Sequence, residues 1–167
     1  MNLPSFYGGR FTVVTELVRR PSSVLLRATD KVLGGREVAL KVFLDKPAGS
    51  GKWIADFDRQ IGALRRASHP ALVPIIAGGY EDGFFFFAME LLTGGSLRQM
   101  MQSRSQPFDQ ATAVRYIAEL CEAVHELHLN NLVHAHIDSR AVLFKGDDCR
   151  LAGFYPPVIA AIQKAST

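Results

Sequence analysis

The chain has 167 residues, of which 48% are hydrophobic and 21% are charged. This size fits a single domain with enough apolar side chains for a packed core, and it excludes a multidomain protein or a disordered tail. The 19 basic and 16 acidic residues give a net charge of only +3 and are dispersed along the chain, so neither a nucleic-acid nor an anionic-membrane partner is expected.

Three strands are predicted near the start of the chain. Residues 11–18, 22–29 and 36–43 are rich in Val, Leu and Phe, and turn signals separate them at Arg19-Arg20-Pro21 and Gly34-Gly35. This arrangement is typical of an antiparallel meander.

An amphipathic helix and two more strands follow. Residues 46–52 are predicted to be a loop, and the apolar residues of 53–67 recur at intervals of three and four, as in a helix with one buried face. Strands are predicted at 72–77 and 83–90, and the turn signal Glu81-Asp82-Gly83 indicates a hairpin between them.

The second half of the chain is predicted to be mainly helical. Ser96 is suited to cap a short helix that ends near Gln102, and Asp109 is suited to cap a long one that ends at Asn130-Asn131. A hairpin is predicted over 141–152. One apolar stripe of the long helix is predicted to be buried, and it consists of Ala113, Ile117, Leu120, Val124 and Leu127.

Four motifs occur in a fixed order. They are Val38-Ala39-Leu40-Lys41, the segment LRRASHPALV at 64–73, the segment AMELLTGGSL at 88–97, and the segment LHLNNLVHAHID at 127–138. In this order and spacing they resemble the V-A-I-K strand, the end of the first helix, the hinge and the H-R-D loop of protein kinases. The resemblance is to kinases of the bacterial Ser/Thr type and extends from residue 11 to about 155.

The resemblance implies an α+β fold in one domain, residues 1–167. It comprises an N-lobe of five antiparallel strands and one helix at about 10–90, a hinge at 91–93, and a truncated, mainly helical C-lobe at 94–167. No activation segment or later helices are expected after Tyr155, so residues 158–162 are expected to pack on the side of the long helix left open, in the same or in a neighbouring molecule.

The sequence departs from the kinase pattern at the positions that carry the chemistry. The H-R-D arginine and aspartate are replaced by Ala135 and His136, and the two magnesium ligands by Ala141 and Gly153. Gln60 stands where the helix glutamate would pair with Lys41. The resemblance therefore implies no bound magnesium and no other cofactor.

A remnant of the adenine pocket is predicted, but without its phosphate loop. Residues 18–23 contain no glycine that would let the backbone approach a phosphate. A stacked column linking the lobes is matched by Leu64, Ile75, His134 and Phe154. The pocket positions given by the resemblance are Leu17, Leu25, Ala39, Lys41, Met89, Glu90, Leu92 and Leu143.

These departures lead to the prediction of a catalytically inactive kinase-like domain, a pseudokinase. It would act as a scaffold for another protein or a second copy of itself, through the uncovered C-lobe surface. Two alternatives are a nucleotide or small-molecule sensor that works without magnesium, and an atypical phosphotransferase that uses Lys41 and His136. Asp56 is a candidate ion partner that would give Lys41 a purely structural role.

Two further sites are weighed and disfavoured. Gly49-Ser50-Gly51-Lys52 lacks two positions that a P-loop requires, so it is interpreted as a flexible loop. Zinc binding could draw on the cluster of His125, His128, His134, His136 and Asp138, but the kinase pattern already gives two of these histidines packing roles.

A cytoplasmic location is expected. No apolar run reaches the roughly 18 residues of a membrane helix, and the first ten residues do not have the pattern of a secretory signal. The only two cysteines, Cys121 and Cys149, are predicted to be free thiols.

Overall fold

A computed structural model describes residues 6–7, 9–45 and 51–165. The chain forms two compact units. The first contains residues 1–65, 75–91 and 156–167, and the second contains residues 66–74 and 92–155.

The first unit is built on a six-stranded antiparallel sheet. Its strands are β1 (Phe6–Tyr7), β2 (Phe11–Arg19), β3 (Ser23–Asp30), β4 (Arg36–Phe43), β5 (Ile75–Glu81) and β6 (Phe84–Glu90), in the order β1-β2-β3-β4-β6-β5. The five long strands confirm the predicted sheet, and the two-residue β1 is an addition. Asp82 and Gly83, with φ of 50° and 86°, form the predicted hairpin turn between β5 and β6.

Both faces of this sheet are packed. One face holds an apolar cluster that includes Phe11, Leu26, Leu40 and Phe86. The other face carries helix α1 (Gly51–Arg66), which confirms the predicted amphipathic helix and begins at the end of the predicted loop. The rest of that loop, residues 46–50, lies outside the described residues, as does half of the Gly49–Lys52 segment.

An aromatic cluster joins α1 to the sheet. The ring of Phe57 is fully buried, with centroid distances of 4.7 Å to Phe85 and 6.4 Å to Phe43. The four consecutive phenylalanines of β6, Phe84 to Phe87, are all buried.

Helix α4 (Pro157–Ala165) also belongs to the first unit. Ile159 and Ile162 are buried, and the Gln163 side-chain amide donates a hydrogen bond of 2.6 Å to Asp45. Helix α4 is grouped with the first unit, so the covering of the long helix by residues 158–162, in the same or in a neighbouring molecule, stays a prediction.

The second unit contains helices α2 (Leu97–Ser103) and α3 (Gln110–Leu129) and the hairpin of β7 (Val142–Lys145) and β8 (Asp148–Leu151). The predicted caps are confirmed, since Ser96 accepts a hydrogen bond from the Gln99 N–H and Asp109 accepts one from the Thr112 N–H. Gly94 packs so closely on β7 that an added Cβ would lie 2.5 Å from the Phe144 carbonyl oxygen.

The buried stripe of α3 differs from the prediction. It consists of Tyr116, Leu120, Ala123 and Leu127, whereas Ile117 is 62% exposed. The ring of Tyr116 packs edge-on against Phe144 at 5.4 Å and so occupies the inward position. Two members of the predicted stripe are buried, and the helix is rotated from the expected orientation by about one residue.

Both cysteines are free thiols, as predicted. Cys121 is exposed on α3, whereas Cys149 is buried on β8. Burial, followed by the neighbouring Glu119 carboxylate, raises the pKa of the Cys149 thiol to about 12. Cys149 is therefore protonated at neutral pH and Cys121 is the more reactive of the two.

None of the helices in the described part of the chain combines the length and hydropathy needed to span a bilayer.

Candidate functional site

Lys41 lies in the middle of the sheet of the first unit. It sits on β4, opposite Leu25 of β3 and Phe87 of β6. Its ammonium group lies 5.3 Å from the ring centroid of Phe43 and 5.9 Å from that of Phe87. Burial, and then the positive charge of Arg20, lower the pKa of Lys41 to about 8. Lys41 is thus a partly desolvated cation that loses its proton at a lower pH than an exposed lysine does.

Three predicted pocket residues share the face of the sheet that carries Lys41. Leu25 is paired directly with Lys41, and Ala39 is paired with Met89. Paired residues of adjacent strands lie on the same face, and so do residues two apart on one strand. The structure therefore brings Leu25, Ala39 and Met89 together around the lysine. Ala39 and Met89 are buried, and Leu25 is half-buried.

The other predicted pocket residues lie at less enclosed positions. Leu17 is 42% exposed and falls at a register shift of β2 between Glu16 and Val18. Glu90 ends β6 and forms an ion pair of 3.8 Å with Arg36. Leu92 and Leu143 belong to the second unit, where both are half-buried.

Two acceptors on α1 have partners other than the predicted ones. The side-chain oxygen of Gln60 accepts a hydrogen bond of 3.3 Å from the Val158 N–H at the start of α4. Asp56 accepts a hydrogen bond of 2.6 Å from Arg59, so its carboxylate forms an ion pair within the helix. Gln60 stands at the position of the kinase glutamate, and its amide oxygen is hydrogen-bonded to the first turn of α4.

A strained loop presents His136 in the second unit. His134 is buried, with its Nε2 2.7 Å from the carbonyl oxygen of Ala152 and its ring 6.1 Å from that of Phe154. Ala135 follows with a φ of 66°, a left-handed conformation that is unfavourable for a residue with a side chain. His136 is exposed beside Tyr155, at 6.3 Å between ring centroids. The loop thus has a fixed histidine at one position and an accessible one two residues later.

Asp138 stabilises the same loop. Its carboxylate accepts hydrogen bonds from the backbone N–H groups of Arg140 and Ala141, at 2.8 and 3.1 Å, and from the Arg140 guanidinium. The Arg140 side chain is the main cause that lowers the pKa of Asp138 to about 2. Asp138 enters the sequence-based predictions only as a candidate zinc ligand, although an aspartate that is able to bond the backbone N–H two residues later is a turn signal.

The positions of the two magnesium ligands do not suit a metal. Ala141 and Gly153 have no side-chain oxygen, and a Cβ built on Gly153 would lie 3.4 Å from the Cβ of Ala141. Magnesium requires hard oxygen donors, so these residues do not fit the ion that the family pattern implies. The described residues also contain no group of three His, Cys, Asp or Glu side chains able to hold a metal ion, and the zinc alternative finds no support there.

The four residues of the expected column are divided between the units. Leu64 and Ile75 belong to the first unit, whereas His134 and Phe154 belong to the second. Within the second unit the rings of His134 and Phe154 meet edge to face. This contact agrees with a packing role for both rings.

The family model described as protein tyrosine and serine/threonine kinase matches residues 8–154. The DNA damage-responsive serine/threonine-protein kinase RqkA of Deinococcus radiodurans is 34% identical over 137 residues, which are 81% of this chain and 20% of that protein. The serine/threonine-protein kinase PknL of Mycobacterium tuberculosis is 28% identical over 158 residues, which are 94% of this chain and 39% of that protein. The chain thus spans between a fifth and two fifths of these relatives.

The fold has solved counterparts. The PknI kinase domain of M. tuberculosis superimposes with a TM-score of 0.78 at 22% identity, over 92% of this chain and 61% of that one. The α+β fold, with a sheet and one helix followed by a mainly helical part, is confirmed.

The prediction of an inactive, non-enzymatic scaffold is wrong. The relatives are named as serine/threonine-protein kinases, and this finding also overturns the alternative of a non-catalytic sensor. The prediction rested on replaced side chains at Gln60, His136, Ala141 and Gly153. Such a replacement removes one chemical group but does not show that the reaction is lost, because another side chain in the loop, such as an imidazole, is able to accept a proton. The chain belongs to the protein tyrosine and serine/threonine kinase family.

Proposed function

We propose that this chain is the nucleotide-binding part of a serine/threonine-protein kinase that transfers the γ-phosphoryl group of ATP to a hydroxyl group. The observation that carries the proposal is Lys41, a partly desolvated cation on a central strand, with Leu25, Ala39 and Met89 around it. An apolar surface next to a single cation suits a purine ring with a phosphate tail. The names of the relatives support the same reaction.

The proposed reaction is an in-line displacement. The hydroxyl oxygen of the acceptor forms a bond to the γ-phosphorus, the bond from that phosphorus to the bridging oxygen breaks, and ADP leaves with the electron pair. Lys41 stabilises negative charge on the phosphates. The proton of the acceptor hydroxyl is taken up by a general base.

Of the two titratable side chains His136 and Asp138, which lie in one loop of the second unit, His136 is the better candidate for a general base. Asp138, with its pKa lowered to about 2 and its oxygens occupied by Arg140 and backbone N–H groups, has little tendency to take a proton. His136 is exposed, and its ring nitrogens are free of any hydrogen bond within the described residues. Imidazole is the most frequent general base in enzymes. Ala141 and Gly153 offer no side-chain oxygen donor, so magnesium held by these two residues takes no part in the proposed reaction.

Phosphoryl transfer tests the proposal directly. We expect the purified chain to transfer label from γ-labelled ATP to hydroxyl groups of itself or of an added protein, in the absence or presence of magnesium. Lys41→Ala removes a charge-assisted contact and is expected to lower the rate at least about tenfold, whereas Lys31→Ala, at an exposed turn, leaves it unchanged. The absence of transfer by the unaltered chain, or an equal rate for Lys41→Ala, would contradict the proposal.

The affinity for ATP is expected to depend on pH through Lys41. Because its pKa is lowered to about 8, the ammonium charge is present below that pH and is lost as pH rises through it. At pH 9 about a tenth of the free protein would carry the charge, so the dissociation constant should rise about tenfold between pH 7 and 9. Titration calorimetry at several pH values measures this change.

Lys41→Arg is the matched control for the pH experiment. Arginine stays charged throughout this range, so the tenfold change should disappear in this variant. An identical pH profile for both proteins would assign the dependence to another group.

Two earlier predictions remain part of the proposal. A cytoplasmic location is one of them. The other is a protein partner, or a second copy, on the exposed face of α3, where Val114 and Ile117 are 60% and 62% exposed. Exposed apolar side chains that cluster on one face favour such an interface.

A further inference from the structure

The turn between β2 and β3 contains two arginines in different surroundings. Arg19 donates hydrogen bonds to both carboxylate oxygens of Glu16, at 3.0 and 3.1 Å from its Nε, so its charge is compensated. Arg20 is exposed, and no carboxylate in the described part of the chain pairs with it. Its guanidinium is therefore available to a ligand.

Hydrogen bonds fasten this turn beside Lys41. The Arg20 N–H donates to the Ser23 carbonyl at 2.8 Å, and the Leu44 N–H donates to the Ser22 carbonyl at 2.9 Å. Ser23 is paired with Phe43, two residues after Lys41. The turn thus lies against the end of the strand that carries the lysine, and the positive charge of Arg20 contributes to the lowered pKa of Lys41.

This arrangement has the character of an anion site. Two cations held near each other repel, and an anion that contacts both relieves the repulsion. The backbone of the turn is poorly suited to the task, because Pro21 has no N–H and residues 18–23 contain no glycine. A guanidinium, in contrast, is able to contact two phosphate oxygens at once.

We propose that Arg20 and Lys41 together bind the terminal phosphates of a nucleoside triphosphate, with the Arg20 guanidinium replacing the backbone N–H groups of a glycine-rich loop. The inference rests on the proposed function and adds a residue that determines recognition of the phosphates. It requires Arg20 to contact the phosphates and to make no contribution to the binding of the nucleoside.

Binding measurements with three probes separate these contributions. We expect Arg20→Ala to weaken ATP and inorganic tripolyphosphate at least about tenfold, as for the loss of hydrogen bonds to a charged group, and to leave adenosine unchanged. Arg20→Lys keeps the positive charge but loses the guanidinium group that contacts two oxygens at once. Its affinity for ATP and tripolyphosphate should lie between that of the unaltered chain and that of Arg20→Ala. Arg19→Ala removes the same charge from the neighbouring residue and should bind all three probes as the unaltered chain does.

The outcomes distinguish this inference from the proposed function. If the unaltered chain binds ATP and Arg20→Ala binds it equally well, or if Arg19→Ala weakens ATP as much, the role of Arg20 is refuted and nucleotide binding stands. If Arg20→Ala weakens adenosine as much as ATP, the residue acts through folding and the inference also fails. If the unaltered chain binds neither ATP nor tripolyphosphate, both proposals fall.

Discussion

Replacing His136 by asparagine is expected to lower kcat for phosphoryl transfer by about 10²–10⁴-fold, which is the usual contribution of general-base assistance. Asparagine has a similar size but does not accept a proton, and the strained Ala135 that precedes it is unchanged. The KM for ATP should stay within about twofold, because the proposed nucleotide contacts belong to the first unit. Steady-state kinetics at saturating ATP measure both constants.

Two further variants make this experiment specific to proton transfer. His136→Asp supplies a carboxylate base at the same position and is expected to retain more activity than His136→Asn. His125→Asn, on the exposed surface of α3, should have no effect. Full activity of His136→Asn would show that another group takes the proton.

Phe57→Ala should remove about 3–5 kcal/mol from the free energy of unfolding, the range found for a large aromatic side chain in a core. The ring is fully buried between Phe43 and Phe85, so its loss leaves a cavity that two neighbouring rings cannot fill. Domains of this size have a total stability of about 5–15 kcal/mol. Urea unfolding followed by fluorescence and circular dichroism gives the difference.

The same helix provides the control for this measurement. Asp58→Ala changes an exposed side chain and should alter stability by less than about 0.5 kcal/mol. If Phe57→Ala does not fold, Phe57→Leu, which keeps most of the volume, should fold with a smaller loss. A midpoint for Phe57→Ala equal to that of Asp58→Ala would mean that the aromatic cluster does not stabilise the first unit.

Local signals in the sequence were sufficient for the strands and the helix caps. Runs of Val, Leu and Phe between turn residues located the strands, and Ser96 and Asp109 located two helix starts, because these features depend on neighbouring residues only. The buried stripe of α3 was less well determined. Leu120 and Leu127 belong to the predicted stripe as well as the observed one, and only the contact of Tyr116 with Phe144 decides between them.

Features of the site that depend on tertiary structure could not be predicted in this way. The placement of the turn that carries Arg20 against the end of β4 follows from the strand register and from two shifts within β2, which no local pattern encodes. The hydrogen bond from Val158 to Gln60 joins residues 98 apart in sequence. The prediction of inactivity was wrong because the replacement of a motif residue does not by itself show that activity is lost, and the surroundings of His136 and Asp138 depend on the folded loop.

The return of the chain to the first unit has a consequence for biosynthesis. Ile159 and Ile162 are buried, and their helix is grouped with a unit whose residues outside 156–167 all precede residue 92. A ribosome therefore has to translate the whole second unit before the first one is finished. Until then the first unit lacks α4, and during that interval the incomplete unit would be vulnerable to aggregation or dependent on a chaperone.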